Sequence, residues 1–272
     1  VLFRSLAQLC LDAGLPPGVL NVVTGTGAEA GDALARHRDV DILTFTGSGA
    51  VGRLLLKASA ESNLKRVFLE LGGKSPNIVF QDAPDLAQAA KVSAMGIFRN
   101  SGQVCVAGSR LLVQRAVHDE FVALVLKVAN SLRVGDPLDV TTDIGAVGSA
   151  RQLARNQGML TRALEQGARL RTGGQVIAPV AGGNYMSPAV LDAVQPEMEI
   201  AQQEVFGPIL AVMPFDTEAQ AVQLANGTEF GLAAGVWTGH LSRALRMVRA
   251  IKAGVVHVNT YGGPDITVPL GG

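Results

Sequence analysis

The sequence of 272 residues has little cysteine, no excess of either charge and no long apolar run. Its two cysteines, Cys10 and Cys105, lie far apart and show no ligand spacing. That argues against a zinc site or a disulfide framework and fits a reducing compartment, with the cytoplasm as the expected location. The 23 basic and 23 acidic residues cancel. No basic stripe suits nucleic acid, and no polybasic cluster suits a membrane surface. No apolar run reaches the roughly 18 residues of a transmembrane helix. The start lacks the basic segment and long apolar stretch of a signal peptide. Internal repeats and low-complexity tracts are missing too. What is present is a chain 48% hydrophobic and 17% charged, enough for one large domain or two. It begins at Val1 rather than Met, opens on a helical pattern and stops at Gly271-Gly272. Both ends lead us to expect a piece of something longer.

The periodicity predicts alternating helices and strands. Apolar residues at 2, 3, 6, 9, 10 and 13 form a helical stripe that includes Cys10, which therefore reads as core. Val19 to Val23 reads as a strand, 28–37 as a helix, 42–45 as a strand, 50–60 as a helix and 65–69 as a strand. A strand at 75–80, a helix at 87–98 and a strand at 110–114 follow. Helices are expected at 118–132, 150–166, 218–225 and 241–251. Strands are expected at 168–172, 187–191, 209–215, 235–238 and 254–258. Such alternation means α/β architecture built from parallel, right-handed βαβ units.

Three places carry candidate chemistry. Thr46-Gly47-Ser48 joins a strand end to a helix start, where free amides and the helix dipole favour a phosphate. It reads equally as a glycine turn with a serine N-cap. Gly25 and Gly27 are weaker evidence of the same kind, and the GxGxxG fingerprint is present at neither place. Glu70 ends a strand, where ligands bind in open α/β sheets, or is a solvated loop acid. Cys105 is either buried packing or a nucleophile. Its loop is bracketed by Gly102 and Gly108, which let backbone amides approach a developing oxyanion, and this favours the nucleophile. His37, His118 and His240 fall at helix ends or in loops and read as solvated. His257 alternates with valines and reads as packing or lining. No residue has the spacing of a metal ligand.

Four motifs in this order resemble the NAD(P)-dependent aldehyde dehydrogenase superfamily. They are Phe45-Thr46-Gly47-Ser48 with Gly52; Leu69-Glu70-Leu71-Gly72-Gly73-Lys74-Ser75-Pro76; Gly102-Gln103-Val104-Cys105 with Ser109-Arg110; and Glu204-Val205-Phe206-Gly207-Pro208. The resemblance runs from end to end of the chain. It implies that Cys105 attacks an aldehyde to give a thiohemiacetal, that oxidation leaves a thioester, and that Glu70 activates the water that releases a carboxylic acid. Glu70 favours the hydrolytic branch over the CoA-acylating one. The cofactor implied is NAD, with NADP not excluded. Glu204 would hold the nicotinamide ribose, Phe206 would pack beside the nicotinamide, Gly47 and Ser48 would meet the pyrophosphate, and Gly27 would lie near the adenosine. Phe45, Leu71 and Gly72 are also on the cofactor's side. The substrate would be a small aldehyde, and the parent a homodimer or homotetramer.

The same resemblance implies residues 1–70 as the later part of a Rossmann-type cofactor domain and 71–259 as a catalytic thiol domain. Residues 260–272 would return toward the cofactor domain, and Cys105 would face the nicotinamide. The family's oxyanion asparagine and adenosine-contacting lysine would lie before Val1. A loop, helix and strand would follow Gly272, so the chain covers a little over half of a typical member. Phe98, Arg99, Val104 and Val106 would shape the substrate tunnel and allow several sizes, and His257 stands where many members have a bulky aromatic. Two other readings are a non-catalytic relative and a thioester or ester hydrolase without redox chemistry. Intact Cys105 and Glu70 count against the first, and stimulation by NAD would count against the second. The 272-residue chain alone is expected to bind NAD weakly. It should oxidise aldehydes about 100-fold or more below the full-length rate, the effect of one lost oxyanion donor. Equal rates for the two in an NAD-dependent assay would overturn this.

Overall fold

The computed structural model describes residues 2–262 and 267–272. The chain divides into two compact units, Val1–Leu71 and Gly72–Gly272. The segment 260–272, expected to return toward the first domain, falls outside the described residues at 263–266.

The first unit holds α1 (Leu2–Asp12), a π-helical turn (Gly27–Gly31) running into α2 (Asp32–Arg36), β1 (Ile42–Thr46), α3 (Gly49–Ala60) and β2 (Arg66–Glu70). β1 and β2 pair in parallel, from Ile42 opposite Arg66 to Thr46 opposite Glu70. α3 is the crossover a parallel pair requires. Ser48 starts it as N-cap, its Oγ accepting from the Val51 N–H at 3.4 Å. The unit buries little: Ala35 and Ala58 are inside, while Ile42, Leu54, Leu64 and Phe68 are exposed. Val19 to Val23 does not form the expected strand, and all five residues are exposed. An apolar run becomes a strand only when its backbone groups find a ladder, and among the described residues this run has none.

The second unit is built on β3 (Pro76–Val79), α4 (Leu86–Phe98), β4 (Arg110–Gln114), α5 (His118–Ser131), α6 (Ala150–Glu165), β5 (Arg169–Thr172), β6 (Val176–Ile177), β7 (Tyr185–Met186), β8 (Ala189–Asp192), α7 (Glu199–Gln202), β9 (Ile209–Phe215), α8 (Glu218–Ala225), β10 (Ala233–Trp237), α9 (Leu241–Ala250) and β11 (Val255–Val258). Seven strands form one sheet in the order β11-β10-β3-β4-β9-β8-β5. All neighbours run parallel except β5 and β8. That departure from the all-parallel expectation has a plain cause. The link 173–188 contains no helix to carry the chain across the sheet, only the β6–β7 hairpin, so the next strand returns antiparallel.

Alternate residues of the central strands feed two cores. Ile78, Leu112, Ala211 and Met213 face one side with Met159 and Leu160 of α6, Ala221 of α8 and Met247 of α9. Val79, Leu111, Val113, Leu210 and Val212 face the other with Phe98 of α4 and Phe121 and Val125 of α5. This is the period of two of a sheet covered on both faces. Arg110, itself buried, ties β4 to its neighbours. Its Nε donates to the Lys74 carbonyl at 2.7 Å, and Nη1 and Nη2 donate to the Leu224 and Ala225 carbonyls at 2.6 and 2.7 Å. A cation there satisfies the open carbonyls at the end of α8. Leu111 is fully buried at the centre of the second core. Leu111→Ala is expected to lower stability by about 2–5 kcal/mol, read as a fall in the urea midpoint. A midpoint unchanged from wild type would show that the core is not packed this way.

Candidate active site

The thiol loop begins where α4 is forced to stop. Asp85 caps the start of α4, its Oδ1 accepting from the Gln88 N–H at 2.9 Å. After Phe98, three consecutive residues turn left-handed: Asn100 (φ 53°), Ser101 (φ 56°) and Gly102 (φ 70°). Two of them are not glycine, so side chains must hold the conformation. Asn100 Nδ2 donates to the Gln103 carbonyl at 3.0 Å, and Ser101 Oγ donates to the Gly145 carbonyl at 2.7 Å. The Gly148 N–H donates to Gln103 Oε1 at 2.8 Å. Cys105 follows, half-buried, in a turn closed by the Ala107 N–H donating to the Val104 carbonyl at 3.0 Å. Behind it stands Tyr261, whose Oη donates to the Val106 carbonyl at 2.7 Å. Its buried ring occupies space left by Gly96, Gly108 and Gly235, and burial raises its phenol pKa above the usual range.

Two more loops meet the thiol loop. A side chain at Gly73 would strike the Cys105 carbonyl, one at Gly102 would strike the Gly207 carbonyl, and one at Gly72 would strike the Glu204 carboxylate. The Gly73 N–H donates to Glu204 Oε1 at 3.2 Å. Burial raises the pKa of Glu204, against the opposing effects of that N–H and the charge of Lys74. Phe206, two residues on, is 36% exposed and left-handed at φ 56°. An aromatic residue in that region is strained, and α6 supplies the restraint. Gln152 Nε2 donates to the Val205 carbonyl at 2.8 Å and Arg155 Nη2 to the Glu204 carbonyl at 2.9 Å. Asn156 lies fully buried against Gly207, its side-chain amide within hydrogen-bonding reach of Gln152 and the Val205 carbonyl. Sequence reasoning missed these three residues. Their signal was polar side chains at i, i+3 and i+4, with Asn156 on the apolar face of the helix.

The first unit brings a second group together. The Gly47 N–H donates to the Glu70 carbonyl at 3.0 Å, so the turn after β1 lies against the end of β2. Gly47 leaves room for the ring of Phe45. Ser48 opens α3, whose first amides point out ahead of the helical ladder. Glu70 is half-buried, and Leu71 packs against Gly52 of α3. Gly27 lies outside this group, at the start of the π-helical turn, where the Thr26 carbonyl accepts from the N–H groups of Glu29, Ala30 and Gly31 at 3.2, 3.0 and 3.3 Å. Thus Phe45, Gly47, Ser48 and Glu70 converge in one unit, and Gly72, Cys105 and Glu204 converge in the other. The two units use opposite strand ends. Gly47 follows β1 and Glu70 ends β2, whereas Gly73, Cys105 and Glu204 precede β3, β4 and β9.

Other expectations fare unequally. Arg99, Val104 and Val106 line a cavity, but Phe98 is fully buried in the core, on the sheet-facing side of α4. His118 is not solvated: it sits between Asp119 and Asp192, with Nδ1 2.9 Å and Nε2 3.2 Å from their oxygens. His257 is half-buried and lines a second cavity with Val106 and Leu270. Burial lowers its pKa. Among the described residues no group of three or more His, Cys, Asp or Glu could hold a metal ion, and no helix is long and apolar enough to cross a membrane.

Cys105, the strained Phe206, the glycine pair 72–73 and the half-buried Glu204 thus lie in one unit, and comparison with known proteins shows the family. The family model described as "Aldehyde dehydrogenase family" matches residues 2–272, and the chain belongs to that family. It is 48% identical over 267 residues to the NADP/NAD-dependent aldehyde dehydrogenase PuuC of Escherichia coli (strain K12), covering 98% of this chain and 53% of that protein. It is 44% identical over 272 residues to the 5-carboxymethyl-2-hydroxymuconate semialdehyde dehydrogenase of Escherichia coli, covering 98% and 57%. Among solved structures it matches an indole-3-acetaldehyde dehydrogenase complexed with NAD+, with TM-score 0.97, 48% identity, and coverage of 99% of this chain and 54% of that one. The chain spans about half the length of the curated relatives it matches.

Lys74 is the electrostatic anomaly of the site. It is 1% exposed, and its Nζ has no hydrogen-bond partner among the described residues. Burial, with the nearby charge of Arg110, pulls its pKa down from 10.5 to about 7, and Glu204 pulls the other way. Between pH 7 and 10.5 the unfolded chain therefore binds the proton that the folded chain has lost. Stability from this group rises with pH across that window and is lowest below pH 7. Lys74→Met should abolish that rise and raise the urea midpoint most at the acidic end of the window. Parallel wild-type and variant midpoints from pH 6.5 to 10 would contradict it.

Proposed function

We propose that the full-length protein containing this chain oxidises an aldehyde to a carboxylic acid with NAD or NADP. The observation that carries the reading is the meeting of Cys105, Gly73 and Glu204 within one unit. A core cysteine has no need of a glycine-thinned loop pressed against its carbonyl, while a thiol that must hold a developing oxyanion does. The family's activity and the NAD bound by a solved relative point the same way.

The residues present fit the cofactor. The turn at Gly47-Ser48 leads into α3, whose open amides suit a phosphate. Glu204 is a half-buried carboxylate with one oxygen held by Gly73, leaving the other as an acceptor for ribose hydroxyls. Phe206 presents a partly exposed ring of the kind that packs on a flat heterocycle. The glycine at 72 is required by the position of Glu204. Leu71 fixes the chain between Glu70 and that glycine, and Gly27 is assigned to the adenosine side by family resemblance alone. We read the first unit as the later part of the cofactor domain and the second as the thiol domain.

Bound NAD supplies the acceptor for the two electrons of the oxidation. Cys105, as thiolate, attacks the carbonyl carbon and forms the thiohemiacetal, its backbone N–H facing the oxyanion. Oxidation converts this to a thioester on Cys105. Glu70 then takes a proton from water, the hydroxide adds to the acyl carbon, and the Cys105 thiolate leaves. In sum, aldehyde, NAD+ and water give carboxylic acid, NADH and a proton.

Cys105→Ala in the full-length protein should abolish NAD-dependent oxidation across a panel of small aldehydes. Glu70→Gln should keep a rapid burst of about one NADH per site while losing steady turnover, because acylation precedes the step that needs the base. Activity surviving Cys105→Ala would sink the assignment of the nucleophile. A burst lost together with turnover in Glu70→Gln would move Glu70 out of the hydrolytic step.

A further inference from the structure

One face of α4 is turned to a cavity. Gln88, Lys91, Val92, Met95, Gly96 and Arg99 recur at helical spacings of three and four, and all six line a space of ≈180 Å³. Val104 and Val106, the two neighbours of Cys105, form part of its wall. Apart from Gln88, which is polar but uncharged, and from Lys91 and Arg99, the walls are apolar: Val92, Met95, the valines and the buried ring of Tyr261. The only charged residues among the described lining are Lys91 and Arg99, and both are cations. Neither has an ion-pair partner among the described residues. In a chain with no net charge this is a local arrangement rather than a general bias.

The helical rise puts the two cations about 12 Å apart along α4, with Arg99 near the thiol loop and Lys91 toward the middle of the helix. Low-dielectric walls around unpaired charges concentrate their field. A neutral aldehyde fills the apolar space but leaves both cations facing it unpaired. An aldehyde with an ammonium group is repelled by both. A carboxylate remote from the carbonyl answers both, and Arg99 can take it with two parallel N–H donors.

We propose that this cavity selects aldehydes that carry a carboxylate at the end remote from the carbonyl, through Arg99 and Lys91. The inference rests on the reading of Cys105 as the thiol that receives the aldehyde, because its two neighbours place the cavity beside it. Both cations are solvent-exposed, so screening keeps the discrimination modest, about tenfold.

The test compares, in the full-length protein, kcat/KM for semialdehydes of four to six carbons ending in a carboxylate with that for neutral aldehydes of equal length. Wild type should prefer the acids by about tenfold, mainly through KM, and less at high salt. In Arg99→Leu with Lys91→Met the ratio, which cancels any general loss of activity, should fall to near one. Arg99→Lys should keep part of it. An unchanged ratio in the double variant, or a wild-type preference for neutral aldehydes, overturns the proposal. A second arm needs no turnover: calorimetry on full-length Cys105→Ala with glutaramate against neutral glutaramide. Tighter glutaramate binding, lost in the double variant, supports the cavity's selectivity even if no aldehyde is oxidised, an outcome that would defeat the functional reading alone. Equal binding of the two probes defeats the selectivity alone.

Discussion

The second unit depends on one steric fact: at Gly72, Gly73 and Gly102 nothing larger than hydrogen fits. There the backbone ahead of β3 passes between the Cys105 carbonyl and the Glu204 carboxylate, and the thiol loop rests directly on the Gly207 carbonyl. At Gly73 and Gly102 the contact fixes backbone against backbone without an intervening rotamer. The remaining features serve that contact. Tyr261 backs the thiol loop, Arg110 locks the strand that follows it, and α6 holds the loop that carries Glu204. Lys74 is drawn inside as a consequence, next to glycines that cannot shield it.

The sheet explains why this contact can exist. In the first unit the candidate groups sit at the C-terminal ends of the strands, where open parallel sheets usually bind ligands. In the second they precede β3, β4 and β9, three adjacent strands. Adjacent parallel strands start side by side, so loops far apart in sequence are delivered together. The thiol therefore sits after the C-terminal end of α4 rather than ahead of a helix N-terminus.

Most of this was legible from residue order. The alternation of helices and strands was readable because both cores follow simple periods, two along β4 and β9, three to four along α4 and α5. Cys105 stood out as a candidate because glycines at 102 and 108 bracket it, whereas Glu70 and Glu204 were assigned roles through the family resemblance. Val19 to Val23 was misread because strand formation is a property of pairs, and hydrophobicity says nothing of a partner. The antiparallel β5 was missed because direction is decided by what the intervening link contains. Gln152 and Arg155 were missed because their partners are carbonyls about fifty residues away, and spacing on α6 does not name a distant partner. Phe98 and Arg99 were grouped as neighbours, yet one turns to the sheet and the other to the cavity.

The left-handed run at 100–102 gives α4 a double duty. By reversing the backbone's hand it welds the thiol turn to the end of a helix whose outer face is also the cavity wall. A substitution that slid or tilted α4 to reshape the cavity would carry the thiol with it. Binding preference in this scaffold is therefore free to diverge through the size and charge of side chains along that face, with the helix itself held still. Changes at Lys91, Val92, Met95 and Arg99 alter that face without touching the left-handed residues themselves.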